Sequence, residues 1–291
     1  WTREVPKVEF PAMQKVWQLF GRPGDLEVVQ FDAPHNYNKE SREAVYEFFR
    51  KRLAPERPAW RERNETVEKL QDMLVFHQKR LPEGALTFDE LFAQWKRTSR
   101  AAARRMSAAE ARERLRMAFL WDQRPRFEDL PSRWFEGRGP AVLLLDPEGM
   151  AAAEKSEEFR ALRAAGRAVL VMDVFQTGSA VAPRDRSHRH FLTFNVSDDA
   201  GRVQDAAAAI EELARRTKQP VEVRASGRAR WWALFATAIA GAPARFDAAA
   251  EEFDEDEARL EREVFVPGLL HAGGVESALR AAAASAAQFR K

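Results

Sequence analysis

The residue whose setting first suggests chemistry is His35, in the segment FDAPHNYNKESREAVYEFF at residues 31–49. It follows a short apolar stretch and directly precedes an amphipathic segment. An imidazole has an unperturbed pKa of about 6.5, so near neutral pH it can accept a proton from a serine and return it to a leaving group. A histidine between a strand and a helix therefore suits the general base of a Ser-His-Asp triad. A surface or helix-capping histidine fits the spacing as well.

The pattern around His35 predicts the elements that would hold it. Apolar residues at helical spacing predict a helix over 11–21, which stops at Gly21. The stretch LEVVQFD, residues 26–32, predicts a short strand. One apolar face over residues 40–53 predicts a second helix, for which Asn38 is a suitable N-cap.

The same residues resemble a known family. FDAPHNYNKESREAVYEFF closely resembles the last strand, loop and helix of bacterial α/β-hydrolases of the acetyl xylan esterase and dienelactone-hydrolase-like group. WTREVPKVEFPAMQKVWQLFG, at the start of the chain, is similar to the stretch that follows the acidic triad residue in that group. The resemblance implies that His35 is the catalytic base. It also implies that Asn36, Tyr37 and Asn38 shape the loop and that Arg42 anchors the start of the helix.

The chain departs from this family in one respect that affects its chemistry. The triad acid would fall just before Trp1, and the nucleophile with its oxyanion hole would lie further upstream. The resemblance therefore implies that residues 1–54 are the C-terminal strand-loop-helix segment of a first α/β-hydrolase domain. Their partner would be the missing N-terminal part of that domain or a partner chain. The implied substrates are acyl esters, with acetylated carbohydrates among them, and the implied location is periplasmic or secreted.

The rest of the chain divides by composition into a linker and a second domain. Residues 55–139 follow Pro55 and Pro58, are rich in Arg and Glu, and predict a helical linker. Residues 140–291 alternate between strand-like and helix-like segments, with strands predicted at AVLLLD, AVLVMDV, VEVRAS and ARFDAA. This alternation predicts an α/β fold with a mostly parallel sheet flanked by helices on both faces, α/β-hydrolase-like in class.

The second domain lacks the residues that a serine hydrolase needs. After VEVRAS, an active member would carry G-x-S-x-G, whose small residues allow the strained turn that projects the serine. If Gly227 is taken as the first glycine of this motif, Ala229 stands at the position of the nucleophilic serine and Trp231 at that of the second glycine. Ser226 would lie at the strand end, before the tip of the turn. The sequence therefore predicts a degenerate hydrolase-like domain at 140–291.

Other features exclude several classes of function. The chain has no cysteine, and its 47 basic and 45 acidic residues leave a net charge of only +2, which argues against a dedicated nucleic-acid binder. No apolar run approaches the ~20 residues of a membrane span.

His188 and His190 lie among arginines, which disfavours zinc, and Asp198 and Asp199 are explained by capping a helix. No cofactor and no metal site are expected.

Two functions stay open on this sequence. The first is the C-terminal part of a serine esterase, to which the chain contributes His35 while the Ser and the Asp come from elsewhere. The second is a non-catalytic, hydrolase-like structural or interaction module in which His35 is a relic.

Either function predicts that the purified chain alone does not hydrolyse esters, because it holds one triad member only. Release of nitrophenol from 4-nitrophenyl acetate should equal that of a buffer blank. Turnover at an enzyme-like rate would show that the chain contains a complete site.

Overall fold

The computed structural model describes residues 2–247, 252–253 and 256–287. The chain forms two units, residues 1–83 and residues 84–291, called here the first and second units.

The first unit is helical in its described residues. Its helices are α1 (Glu9–Leu19), α2 (Lys39–Leu53) and α3 (Leu70–Met73). Helix α2 begins after Asn38, whose side-chain oxygen accepts a hydrogen bond of 3.1 Å from the Ser41 N–H, as the sequence predicts. Neither α1 nor α2 contains a fully buried residue, so the apolar faces predicted for these helices remain largely exposed.

The strand predicted at residues 26–32 is wrong in this structure. The backbone is extended at Leu26, but residues 26–32 form no ladder with any described segment. A strand is stabilised by pairing with a neighbour, and no second strand exists among the described residues of the first unit. Val29 and Phe31 are consequently exposed.

The second unit contains the sheet. Its elements, in chain order, are α4 (Phe88–Arg104), α5 (Ala108–Ala118), β1 (Ser132–Phe135), β2 (Arg138–Leu145), α6 (Met150–Lys155), α7 (Glu157–Ala164), β3 (Arg167–Met172), α8 (Phe191–Phe194), α9 (Asp198–Thr217), β4 (Val221–Ala225), α10 (Ala229–Ile239), β5 (Ala244–Phe246), α11 (Glu257–Glu263) and α12 (Gly274–Ala287). The strand order is β1-β3-β2-β4-β5. Strand β1 is antiparallel to β3, and the other pairs are parallel. The predicted α/β fold with a mostly parallel sheet is confirmed.

Side-chain alternation along the strands explains how the two faces are covered. Leu143 and Leu170 pack into the larger core with residues of α5, α9, α10 and α12, while Val142 and Val169 pack with residues of α6 and α7. Successive residues of a strand point to opposite faces, so these near-continuous apolar runs fit a sheet that is buried on both sides.

Strand β4 departs from this pattern. Its sequence VEVRA alternates, and Glu222 and Arg224 lie on the face of α7, where Arg224 pairs with Glu158. Glu222 is buried and accepts hydrogen bonds from Arg224 and from Arg167, the latter at 2.8 Å. Burial opposes ionisation of Glu222, but these hydrogen bonds outweigh it and lower its pKa. Helical coverage of both faces is therefore incomplete at β4.

Part of the segment predicted as a linker belongs to the core of the second unit. Leu115 and Phe119 are fully buried, and the ring of Phe119 lies 5.2 Å from that of Phe235 in α10. Phe88 and Trp95 of α4, by contrast, are exposed.

The difference in burial predicts a difference in hydrogen exchange. Amides of α1 and α2 should exchange at least ~100-fold faster than those of β2 and β3, because local opening exposes no buried apolar surface there. Exchange of the purified chain followed by mass spectrometry measures this directly. Equal protection of the two sets would contradict the absence of a core around α1 and α2.

Candidate functional site

His35 lies on the loop between α1 and α2 and is exposed. It makes no hydrogen bond or ion pair with any other described residue. No described serine or carboxylate is therefore brought to its imidazole, and the structure leaves its predicted role as a triad base untested.

The loop that carries His35 is anchored at its other end. Arg42 donates a hydrogen bond to the carbonyl oxygen of Tyr37, two residues after His35. Its Nε and Nη2 each donate to a carboxylate oxygen of Glu62 at 2.6 Å, and Tyr46 donates to the same carboxylate at 2.9 Å. The hydrogen bond from Arg42 holds the pKa of Glu62 at about 2, far below its usual range. The anchoring role that the resemblance implies for Arg42 thus has a geometric basis.

Glu62 is a residue that sequence reasoning missed. It lies 20 positions from its partner, in the segment predicted as a linker, and no short-range spacing relates the two residues. Beside the anchor, a cavity of about 340 Å³ is lined mainly by apolar side chains, among them Val29, Phe31, Val45 and Phe49.

In the second unit, the turn between β4 and α10 has the shape of a nucleophile elbow. We call the five residues Ala225–Ala229 the elbow. Gly227 lies at its tip in the left-handed region, with φ of +46°, and α10 starts at Ala229. Small residues stand two positions before and two positions after this tip, as the strained turn of such an elbow requires.

The placement of the nucleophile position at Ala229 is therefore wrong by two residues. Ala229 is the first residue of the helix, and Trp231 lies buried within it. Gly227 carries no side chain, so the tip of the turn holds no nucleophilic atom. A Cβ added at Gly227 would meet only Pro147 Cγ, at 3.6 Å, so the space that a nucleophile would need is open.

Ser226 lies at the end of β4, as the sequence predicts, and it is held by a carboxylate. Its Oγ donates to Asp146 Oδ2 at 2.7 Å, and its N–H donates to the carbonyl oxygen of Leu145 at 3.1 Å. These bonds tie the ends of β2 and β4 together beside a cavity of about 230 Å³. No described imidazole is bonded to Ser226, so the pair has no base to activate the hydroxyl.

Two further aspartates, which sequence reasoning missed, organise the long loop after β3. Asp173 accepts hydrogen bonds from Met150 N–H at 2.6 Å and from the N–H and Oγ of Ser179 at 2.9 and 2.6 Å. Burial opposes its ionisation, but these three donors outweigh burial and lower its pKa. Asp205 of α9 accepts one hydrogen bond among the described residues, from Phe175 N–H at 2.7 Å, and burial raises its pKa to about 7.

The remaining residues that the sequence suggested as functional either form structural hydrogen bonds and ion pairs or belong to no group of possible metal ligands among the described residues. Ser197 caps α9 through a 3.2 Å bond from Ala200 N–H, whereas Asp198 and Asp199 in the first turn pair with arginines. Within the described ranges, no three His, Asp or Glu side chains form a group that could hold a metal ion. None of the described helices has the length and hydropathy needed to span a membrane.

One sequence prediction reaches beyond the described residues. The strand predicted at 244–249 is present as β5 over Ala244–Phe246, and residues 248 and 249 lie outside the described part.

Comparisons with known proteins add little to this geometry. No protein-family model matches the chain, and no curated protein matches it. A solved structure described as a non-haem bromoperoxidase from Mycobacterium tuberculosis is similar at a TM-score of 0.30 and 20% identity, over 49% of this chain and 52% of that one. The match thus spans about half the length of each chain, and a likeness this low carries no argument.

The class of protein therefore rests on the structure itself. A mostly parallel sheet with one antiparallel edge strand, helices on both faces and an elbow-shaped turn after β4 define an α/β fold of α/β-hydrolase-like form.

The raised pKa of Asp205 predicts a pH-dependent effect of substitution. The ordinary pKa of about 3.8 applies to the unfolded chain, so between about pH 4 and pH 7 the folded state binds more protons and its stability falls as pH rises. Asp205→Asn removes the buried charge and keeps an oxygen for Phe175 N–H. We expect it to stabilise the protein by about 2–4 kcal/mol at pH 8 and by little at pH 4, measured by guanidinium denaturation.

Asp173→Asn is the matched control. Its carboxylate has three donors and a lowered pKa, so we expect this variant to be destabilised at pH 8. An equal gain for Asp205→Asn at both pH values would show that burial of its charge does not set the effect.

Proposed function

We propose that residues 1–54 supply the general base of a serine esterase. In this proposal His35 takes the proton of a serine that, with its aspartate and oxyanion hole, belongs to a polypeptide segment outside the described residues. The observation that supports it best is an exposed imidazole on an anchored loop, beside helices that bury none of their apolar residues.

The anchoring matters because a catalytic base must be held within hydrogen-bond reach of its nucleophile. The Arg42 bond to the Tyr37 carbonyl oxygen fixes the backbone two residues after His35, and the Asn38 cap fixes the start of α2. The loop is thus constrained on the side of the helix, while the imidazole itself is unpaired among the described residues. Such an arrangement leaves the ring available to a partner.

The uncovered apolar surface favours a missing partner. Phe20 and Leu53 are each 77% exposed, and Phe49 is 52% exposed. Residues 26–32 add a segment with an apolar strand pattern that pairs with no described strand. Exposed apolar patches and unpaired extended segments mark surfaces that pair with other chains or segments. A hydrolase sheet that accepts residues 26–32 as its last strand would satisfy both features.

The substrate class rests on the resemblance at residues 31–49. It points to acyl esters, with acetylated carbohydrates among them. In this proposal the second unit has a supporting role, because its elbow carries no nucleophile at Gly227.

That same glycine favours a second candidate function, a non-catalytic module. A fold that retains the elbow shape without a nucleophile can serve as a structural or interaction domain, and fold alone does not give function. In that case His35 has no chemical role. The two candidates differ in what happens to activity when His35 is removed.

The test uses the protein tagged and purified from cells that express it from its own gene, with whatever partner accompanies it. We expect a fluorophosphonate to label a serine in this preparation and 4-nitrophenyl acetate to be hydrolysed. His35→Ala should lower the hydrolysis rate by about 10²–10⁴-fold, because the general base is lost. His77→Ala is the matched control, since His77 is also exposed in the first unit, and it should leave the rate unchanged.

Hydrolysis that is equally fast in His35→Ala and in the parent would overturn the proposal. A preparation that neither takes the label nor hydrolyses the ester would support the non-catalytic module.

A further inference from the structure

A cavity of about 530 Å³ lies in the second unit beside the elbow. Its wall comes from the loop after β3, from the start of α9 and from Arg228 in the elbow after β4. We call it the basic cavity and define it by Arg186, Arg189, Arg202, Arg228, Phe191 and Phe265. Parallel sheets bind ligands outside the carboxyl ends of their strands, and this cavity lies at the carboxyl ends of β3 and β4.

The described wall carries an excess of positive charge. Four guanidinium groups are present with only two carboxylates, those of Asp198 and Asp199. Arg184, behind the wall, shares the carboxylate of Asp198 with Arg186. The first turn of the 20-residue helix α9 adds the partial positive charge of a helix N-terminus. The electrostatic balance therefore favours an anion.

Asp199 fixes two of these arginines in place. It is 3% exposed and accepts from Arg202 Nη1 at 2.8 Å and from Arg228 Nη2 at 2.9 Å. Trp232 Nε1 and Phe265 N–H complete its partners, at 3.1 and 2.9 Å. With four donors on one carboxylate, its charge is fully compensated, and neither Arg202 nor Arg228 is free to leave the wall. Arg202 Nε donates to the carbonyl oxygen of Phe175 at 3.1 Å, and Arg228 Nε donates to that of Glu263 at 2.9 Å. One terminal nitrogen of each side chain, Nη2 of Arg202 and Nη1 of Arg228, makes no hydrogen bond with another described residue.

The other part of the wall is apolar. Phe191, Leu192 and Phe265 line the cavity together with the arginines. Arg184 lies 4.9 Å from the ring of Phe175 and 4.8 Å from that of Phe191, which ties the aromatic side to the charged side. A ligand that uses the whole wall must carry both an anionic group and an apolar group.

We propose that the basic cavity binds an organic anion, a carboxylate or a phosphate monoester that bears an aromatic or aliphatic group. The guanidinium groups take the oxyanion in charge-assisted hydrogen bonds, and Phe191 and Phe265 cover the apolar part. The site stands where an active elbow would hold its substrate, but it requires no nucleophile. It does not depend on His35 or on the proposed esterase activity.

The test measures binding of phenylacetate and phenyl phosphate to the whole chain by calorimetry, with phenylacetamide as the neutral analogue and inorganic phosphate as the anion without an apolar group. Arg186→Gln/Arg189→Gln removes two charges without leaving a buried carboxylate unpaired, since Asp198 keeps Arg184. We expect this variant to bind at least tenfold more weakly. Arg138→Gln/Arg160→Gln, two exposed arginines of β2 and α7 that do not line the cavity, is the matched control and should bind as the parent does.

Binding of either aromatic anion, with loss in Arg186→Gln/Arg189→Gln only, supports the site, and the tighter anion identifies the preferred oxyanion. Three results would overturn the proposal. They are binding of phenylacetamide as tight as that of phenylacetate, binding of inorganic phosphate as tight as that of phenyl phosphate, and equal binding by the two double variants.

Discussion

Pairing of extended backbone with a neighbouring strand is the constraint on which this molecule depends. In the second unit, every strand of the five-stranded sheet has a partner, and the apolar side chains of β2 and β3 are covered from both faces. In the first unit, residues 26–32 have the sequence of a strand but no partner among the described residues, and no residue of α1 or α2 is fully buried. Similar local sequence patterns therefore lead to a buried core in the second unit and to an exposed surface in the first unit. The reason is that a β-strand is stabilised by pairing with a neighbouring strand, which a single segment cannot supply.

The sequence alone could predict what local periodicity determines. The helices α1 and α2, the Asn38 cap and the parallel strands β2, β3 and β4 all follow from the spacing of apolar residues and from capping chemistry. The edge strand β1 could not be predicted, because SRWF has no alternation long enough to distinguish it from a loop. Neither could the Arg42–Glu62 pair or Asp205, whose partners are set by tertiary contacts. The elbow is an intermediate case: the sequence shows that no G-x-S-x-G motif follows β4, but the position of the tip needed the backbone conformation of Gly227.

Carboxylates hold the loops at the carboxyl edge of the sheet. Asp146 holds Ser226, Asp173 holds the turn at Ser179, and Asp199 holds two arginines and an indole. Each of these acceptors is matched by donors, and a buried charge is tolerated only on that condition. Asp205, with a single donor among the described residues, is the exception, and its raised pKa is the physical consequence. Charge at this edge is thus used mainly to fix loops, which is a structural use of residue types that would otherwise suggest catalysis.

The fixing of loops by carboxylates does not explain why arginines outnumber aspartates next to the elbow. One guanidinium would suffice to neutralise each of Asp198 and Asp199, yet each receives two. Surplus arginines at an open cavity carry a cost in mutual repulsion, which an anionic ligand would relieve. If the elbow lost its nucleophile while the strand ends kept their geometry, the fold would still present a crevice in the position where parallel sheets bind ligands. The arginine surplus gives that crevice a chemical preference for anions, and this preference needs no nucleophile at Gly227.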